Sequence, residues 1–318
     1  MTGTRIALLS RIVGSDRTAM AMLADAGVDV VLDLPGYQAL GGEGKGWQEV
    51  LGRIDGLVLG LQPLTRAHLD AAPDLRYVLR IGTGTDNIDV TAANSRGIVV
   101  ESLAGLNAPA VAEYAFALLL AAAKRIPAAD RSLRAGEWTR FYGRHLGGRT
   151  LGLVGYGEIA RAMVPKAHGF GMNVIAHRRS GAGGSDGVPM VGLDELLASA
   201  DFISLHVPLT EETRGLIGER EFGLMRPDVV LVNTARGAVV DERALHAALV
   251  SGKVGACALD VFSVEPPGPS PLFDLPNVVV SPHNGGYSDL VTELTARSAA
   301  ERIVAGLAPP EVVQNKEN

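Results

Sequence analysis

Cysteine is nearly absent from this chain. Cys257 is the single one in 318 residues, so no internal disulfide and no C-x-x-C pair can form. It lies in an apolar stretch, Val254 to Val261, which reads as a small core side chain rather than a nucleophile. No H-x-x-x-H spacing occurs, so a helical metal-ligand pair is missing as well. Long hydrophobic runs are lacking. The stretch from Ala108 to Ala123 is interrupted by Glu113 and is too short to span a bilayer. Arg5 precedes only a brief apolar run, without the longer hydrophobic region of a secretory signal. Basic charge is in deficit, with 29 Lys and Arg against 35 Asp and Glu and a net charge of −6. With no basic stripe, nucleic acid is excluded as a main partner. The expectation is a cytoplasmic enzyme with no membrane association.

What is present is a large apolar fraction, 47% of residues, with a mean hydropathy of +0.19. That composition fits a soluble globular protein, and the length fits about two domains. The first hundred residues alternate strand-like runs with helical patterns. The strands are read at Arg5–Leu9, Val28–Leu32, Gly56–Leu59, Tyr77–Ile81 and Ile98–Val100, with helices such as Arg17–Ala26 and Arg66–Ala72 between them. This alternation predicts a small α/β domain with a parallel, flavodoxin-like sheet. A long helix, Ala108–Lys124, follows. Six more strands are then read at Leu151–Val154, Asn173–His177, Phe202–Leu205, Val229–Val232, Ala256–Asp260 and Val278–Ser281. They predict a doubly wound Rossmann domain. A last helix, Ser288–Ala305, comes after that sheet is complete and is expected to return to the first domain. The division expected is a discontinuous substrate and catalytic domain, 1–101 plus 287–318, and a dinucleotide-binding domain, 102–286. Gly181 to Gly184 reads as a flexible loop and Gln314–Asn318 as a frayed tail.

The turn Gly155-Tyr156-Gly157-Glu158-Ile159-Ala160 lies between a strand and a helix, the context that gives G-x-G-x-x-[GA] its meaning. Gly155 permits the tight turn. Gly157 lets the backbone approach a pyrophosphate, and Ala160 allows close helix–strand packing. The helix N-terminus supplies N–H groups and partial positive charge. A lone turn of this kind is a weak signal, but the second strand strengthens it. After that strand an NAD site places an acidic residue for the ribose 2′-hydroxyl. Here Arg178 stands eighteen residues after Ala160, followed by Arg179 and Ser180. Two guanidiniums and a hydroxyl suit a 2′-phosphate, so NADP(H) is the expected cofactor and NAD(H) the alternative. The competing reading of both arginines is solvated loop charge. His177 is expected near the adenosine, and His206 along the cofactor cleft.

Three polar groups stand at strand ends in the second half: Arg236, Glu265 and His283. Ligands of open α/β sheets bind at the carboxyl ends of strands, so the three are expected to converge. Arginine can hold a carboxylate and polarise the neighbouring carbonyl. Histidine can give or take a hydroxyl proton, and a glutamate beside it orients the ring and favours the imidazolium. With hydride from a nicotinamide, this set fits exchange between a 2-oxo and a 2-hydroxy acid. Each residue alone also has a surface or loop-closing reading. The other histidines rank lower: His246 sits mid-helix, and His68, His145 and His168 show no evident partners.

Along most of its length the chain resembles the D-isomer-specific 2-hydroxyacid dehydrogenase family. The resemblance rests on Gly82 to Asp89, Asn107 to Glu113, Leu151 to Ala160, and His206-Val207-Pro208-Leu209-Thr210 with Thr213. It also rests on Asn233 to Gly237, Ala258 to Phe262 with Glu265-Pro266, and Ser281-Pro282-His283. It implies that Arg236 binds the substrate carboxylate and that Glu265 and His283 form an acid–base pair. It implies that Asp260 holds the nicotinamide carboxamide, with the Thr234-Ala235 backbone nearby. His206, Val207, Pro208 and Thr213 would belong to the cofactor wall. The loop Arg80-Ile81-Gly82-Thr83 would offer N–H groups to the carboxylate, with Thr83 touching the cofactor. A homodimer formed through the nucleotide domain is also implied.

Arg80 before Ile81-Gly82-Thr83-Gly84 is similar to the phosphoglycerate dehydrogenase branch, beside the hydroxypyruvate and glyoxylate reductases. Gly60, however, falls where that branch tends to carry a phosphate-binding arginine. Glu158 stands beside the expected pyrophosphate position, where many relatives are basic or neutral. Thr83 replaces the lysine of phosphite dehydrogenases. The alternatives to an oxo acid reductase are a dinucleotide-sensing protein without turnover and a phosphite- or formate-type dehydrogenase.

Overall fold

The computed structural model describes residues 3–42, 44–179 and 186–307. Ser180, Gly181 to Gly184 and Gln314–Asn318 lie outside the described residues. The chain divides into two compact units. One runs up to Asn107 and resumes at Ser288; the other is Ala108–Tyr287.

The first unit is built on strands β1 (Thr4–Leu9), β2 (Val28–Asp33), β3 (Gly56–Leu59), β4 (Tyr77–Arg80) and β5 (Val99–Ser102). Their order is β2-β1-β3-β4-β5, and every neighbouring pair is parallel. This is the flavodoxin-like order. β3 and β4 are apolar runs buried on both faces, as helix-covered parallel strands should be. β2 is an edge strand with Asp29 and Asp33 turned to solvent. The register aligns Leu9, Leu59, Arg80 and Ser102 in one row at the carboxyl edge. The helix Asp289–Leu307 covers one face.

The second unit contains β6 (Thr150–Val154), β7 (Asn173–His177), β8 (Phe202–Leu205), β9 (Val229–Asn233), β10 (Val254–Leu259) and β11 (Val278–Val280). The order is β11-β10-β9-β8-β6-β7, again parallel throughout. Met190 adds a single parallel bridge to Ala176 outside β7. Counted as a strand position, it completes the 3-2-1-4-5-6 order of a Rossmann sheet, with β11 as a seventh position beyond β10. Two apolar layers enclose the sheet. One is built from the helices Ala108–Ala123 and Glu158–Gly169, the other from Leu193–Ser199, Glu219–Leu224 and Glu242–Val250. Cys257 is fully buried in β10, and burial pushes its thiol up to about 12. No described helix is long and apolar enough to cross a membrane.

One consequence of the register organises the chemistry. His177, Val154, Leu205, Asn233, Leu259 and Val280 pair across the sheet as a single row. The segments that follow each member therefore leave the sheet side by side. Those segments carry Gly155, Arg178, His206, Arg236, Asp260 and His283.

Candidate active site

The first segment is the glycine turn. Gly155 has φ +91°, and its N–H donates to the His177 carbonyl at 2.9 Å. A Cβ there would lie 2.6 Å from the His206 carbonyl oxygen, so conformation and space both require glycine. Gly157 starts the helix Glu158–Gly169 without any side-chain cap. A Cβ on Gly157 would meet nothing within 4 Å, so the fold itself does not demand glycine at this point. The open space and the uncapped N–H groups fit a phosphate approaching the helix end. Ala160 is fully buried and Ile159 packs against the same apolar layer. Glu158 is exposed in the first turn, where a carboxylate suits the helix dipole. Tyr156 is buried, and its hydroxyl donates to Asp186 Oδ2 at 3.1 Å. Arg161 Nε lies 3.2 Å from the same oxygen, and its guanidinium sits over the Tyr156 ring. Burial raises the Tyr156 pKa, and the Asp186 bond adds to the rise.

The next two segments flank the turn. His177 donates from Nδ1 to the Val191 carbonyl at 3.0 Å, fixing its ring against the bridge strand. Arg178 is half-exposed and Arg179 exposed. Arg179 Nη1 lies 3.8 Å from Glu212 Oε2. After β8, His206 donates its N–H to the Val154 carbonyl at 2.7 Å, and Val207 packs on the second apolar layer. His206 Nε2 lies 3.0 Å from Met163 Sδ, whereas Nδ1 is buried without a partner among the described residues. Burial pushes this ring's pKa down to about 4, so it stays neutral. Thr213 Oγ1 donates to the Pro208 carbonyl at 2.6 Å and accepts from Thr210 N–H at 2.7 Å. Thr234 Oγ1, just after β9, is likewise buried without a partner among the described residues. The open glycine turn and these orphaned polar atoms occupy one edge of one sheet. They fit a dinucleotide laid across that edge.

The segments after β9, β10 and β11 hold the acid–base groups. Asn233 accepts from the Ala235 N–H at 3.0 Å and donates to the Arg236 carbonyl at 2.9 Å. It thereby shapes the turn that presents Arg236, whose Nη1 donates to the Ala235 carbonyl at 2.8 Å. A Cβ on Gly237 would lie 1.9 Å from the Phe262 carbonyl carbon. The loops after β9 and β10 are thus in direct backbone contact. Phe262 N–H donates to Glu265 Oε1 at 3.0 Å, and His283 Nδ1 lies 2.7 Å from Glu265 Oε2. Both side chains are about a quarter exposed. His283 Nε2 makes no hydrogen bond among the described residues. Burial alone would raise the Glu265 carboxyl. The His283 bond, the Phe262 N–H and the charges of His283 and Arg236 outweigh it and hold the carboxyl below its ordinary value.

Asp260 is 1% exposed, and its carboxylate serves the His283 loop. Oδ1 accepts from Ser281 Oγ at 2.6 Å and Asn284 N–H at 2.8 Å, and Oδ2 accepts from Gly285 N–H at 2.8 Å. The Asp260 carbonyl accepts from His283 N–H at 2.8 Å. His283 itself has φ +54°, a conformation unusual for a side chain other than glycine. Ser281, Asn284 and Gly285 were not expected among the supporting groups. Ser281 was legible only as part of the motif before His283.

In the first unit, Arg80 is 5% exposed, and its Nε donates to Asn87 Oδ1 at 3.4 Å. Asn87 also donates to the carbonyls of Gly60 and Gln62, at 3.1 and 2.7 Å. The expectation that Ile81 offers its N–H to a ligand is corrected. That N–H extends the sheet ladder to the Leu59 carbonyl at 2.8 Å, and the Ile81 side chain is buried. Gly82 has φ +109°, and its N–H and that of Thr83 carry no hydrogen bond among the described residues. Thr83 Oγ1 donates to Asn107 Oδ1 at 3.4 Å. His68, expected to lack a partner, accepts from Thr65 N–H at 3.2 Å as a helix cap.

Residues 116–285 match the family model described as D-isomer specific 2-hydroxyacid dehydrogenase, NAD binding domain. A glyoxylate reductase of Thermococcus litoralis is 42% identical over 281 residues, 83% of this chain and 85% of that protein. A D-3-phosphoglycerate dehydrogenase of Methanocaldococcus jannaschii is 43% identical over 246 residues. The match covers 76% of this chain but 47% of the longer relative. The crystal structure of a glyoxylate reductase from Paecilomyes thermophila superposes with a TM-score of 0.84 at 32% identity, covering 96% of each chain. The glycine turn, the Glu–His pair and the sheet order therefore sit in a chain that belongs to the D-isomer-specific 2-hydroxyacid dehydrogenase family, oxidoreductases of 2-hydroxy acids with a nicotinamide dinucleotide-binding domain.

Proposed function

We propose that this protein is an NADP(H)-preferring reductase that converts a small anionic 2-oxo acid to its D-2-hydroxy acid. The observation that carries this reading is the 2.7 Å pair between His283 Nδ1 and Glu265 Oε2. It leaves Nε2 available for proton exchange with a ligand. The chemistry a reduced nicotinamide would supply here, when bound, is hydride for C2 of the substrate. His283 would give its Nε2 proton to the carbonyl oxygen, and the neutral ring left behind would keep its Nδ1–H hydrogen-bonded to the Glu265 carboxylate. Arg236 holds the substrate carboxylate and polarises the adjacent carbonyl. Arg80 and Gly82 belong to substrate recognition in this proposal, whereas Ile81 packs in the core behind them. The segment up to Asn107 together with the part from Ser288 onward acts as the substrate domain.

The cofactor reading gives the pyrophosphate to Gly155, Tyr156, Gly157, Glu158, Ile159 and Ala160. It gives the adenosine to His177, Arg178, Arg179 and Ser180, and the wall of the site to His206, Val207, Pro208 and Thr213. Thr83, Thr234, Ala235 and Asp260 fall to the nicotinamide end. Arginine in place of a carboxylate after β7 supports NADP(H) over NAD(H). The glyoxylate reductases among the relatives support a small 2-oxo acid. A cytoplasmic homodimer completes the proposal.

The test follows NADPH and NADH oxidation with glyoxylate, hydroxypyruvate, phenylpyruvate, phosphohydroxypyruvate and phosphonopyruvate. Turnover faster with NADPH is expected for at least one acid. His283→Ala should lower kcat by about 10²- to 10⁴-fold while cofactor binding persists. Full activity in that variant would sink the mechanism. Tight dinucleotide binding without turnover of any acid would favour a sensing role.

A further inference from the structure

Arg179 does not face solvent alone. Its Nη1 lies 3.8 Å from Glu212 Oε2, and the same oxygen accepts a 2.6 Å bond from Thr210 Oγ1. The segment around Thr210 is pinned independently. Thr210 N–H donates to Thr213 Oγ1 at 2.7 Å, and Thr213 Oγ1 donates to the Pro208 carbonyl at 2.6 Å. The N–H groups of Thr213 and Arg214 return to the Thr210 carbonyl at 3.2 and 3.0 Å. The Thr210 hydroxyl lowers the Glu212 pKa, and Arg179 adds to the effect. A fixed negative charge therefore stands against one of the two arginines that follow β7.

We propose that Glu212 is a specificity-determining residue, a built-in counter-ion that sets how strongly the protein discriminates NADPH from NADH. The inference rests on the NADP(H) reading above. A cofactor with a 2′-hydroxyl leaves the Arg179–Glu212 pair intact. A cofactor with a 2′-phosphate brings about two negative charges to Arg179, so it must share that guanidinium with Glu212 and meet its repulsion. Glu212 thus opposes the phosphate and hardly touches the hydroxyl. Both side chains are mostly exposed, 84% and 67%. The opposition is therefore screened by water and salt and amounts to a few-fold effect.

Dissociation constants for NADPH and NADH, measured by fluorescence on the full chain at low and high salt, test this. The proteins compared are the wild type, Glu212→Gln, Arg179→Gln and the double variant. Glutamine keeps an acceptor for the Thr210 hydroxyl, so the turn survives. At low salt, Glu212→Gln should tighten NADPH about threefold and leave NADH unchanged. The gain should shrink at high salt and become smaller in the Arg179→Gln background, where only the direct repulsion between Glu212 and the phosphate is left to relieve. Unchanged or weakened NADPH binding in Glu212→Gln, or equal tightening of both cofactors, overturns the inference. If Arg179→Gln weakens NADPH while Glu212→Gln has no effect, the inference alone falls. If Arg179→Gln leaves NADPH binding untouched, the cofactor reading falls with it.

Discussion

His206 shows how one residue can couple this fold to pH without taking part in proton transfer. Its Nδ1 is buried without a partner among the described residues, and burial pushes the ring's pKa down to about 4. An unfolded histidine titrates near 6.5. Above that value neither state carries the proton, and the residue contributes nothing to pH dependence. Between about 6.5 and 4 the unfolded chain takes up a proton that the folded chain refuses, so stability falls as the solution is acidified. The loss approaches about 3 kcal/mol by pH 4. Urea unfolding from pH 7.5 to 4.5 checks this, because His206→Gln should lose less stability than the wild type over that range. Parallel curves would mean that the folded state protonates this ring freely. Glu265 carries a linkage of the same sign at lower pH. Its depressed pKa contributes stability above the ordinary carboxylate value, which is lost as pH falls through the folded value.

Among the elements, the loops after β9 and β10 act as one piece because Gly237 touches the Phe262 backbone. A Cβ 1.9 Å from the Phe262 carbonyl carbon leaves no flexible side chain to yield. Gly237→Ala should cost about 3 kcal/mol or more. It should also lower kcat beyond any loss of folded protein, because Phe262 N–H holds Glu265. Urea unfolding and turnover per folded molecule check both effects; near-wild-type values for each would refute this coupling. The elements themselves were legible in the sequence. Runs such as Phe202–Leu205 and Val229–Asn233 are apolar, β-branched and bounded by turns, and the expected strand ends fall within two residues of those observed. Met190 was not legible, because a single bridge has no periodicity. The Asp260 network was hidden for another reason. Its partners Ser281, Asn284 and Gly285 lie 21 to 25 residues away, and only the register of β10 on β11 joins them. The Ile81 N–H was misassigned because the strand end read from the sequence did not reveal that the ladder continues to Leu59. That the segments carrying Arg236, Glu265 and His283 leave one sheet edge could be read from the sequence, because strand ends of a parallel sheet share an edge. The 2.7 Å contact between Glu265 and His283 could not.

For the whole molecule, the chain order makes one unit depend on residues from both ends of the sequence. The helix Asp289–Leu307 buries Ala296, Ala299, Ala300 and Ile303 completely, in the same apolar cluster as Ile6, Leu8, Val58, Tyr77 and Leu79. Losing a single buried Leu or Ile typically costs about 2–5 kcal/mol, and a domain is stable by only about 5–15 kcal/mol. A chain ending at Tyr287 would expose that whole face of the β2-β1-β3-β4-β5 sheet. Ala108–Tyr287, by contrast, is continuous and encloses its sheet between two apolar layers of its own. Deleting the residues from Ser288 onward should therefore abolish slow amide exchange in β1 to β5 while β6 to β11 stay protected. The fragment Ala108–Tyr287 should unfold cooperatively, bind the dinucleotide and turn over no oxo acid. Hydrogen exchange and dinucleotide fluorescence read these outcomes. Full protection of β1 to β5 without the helix would show that the first sheet holds its exposed face by other means.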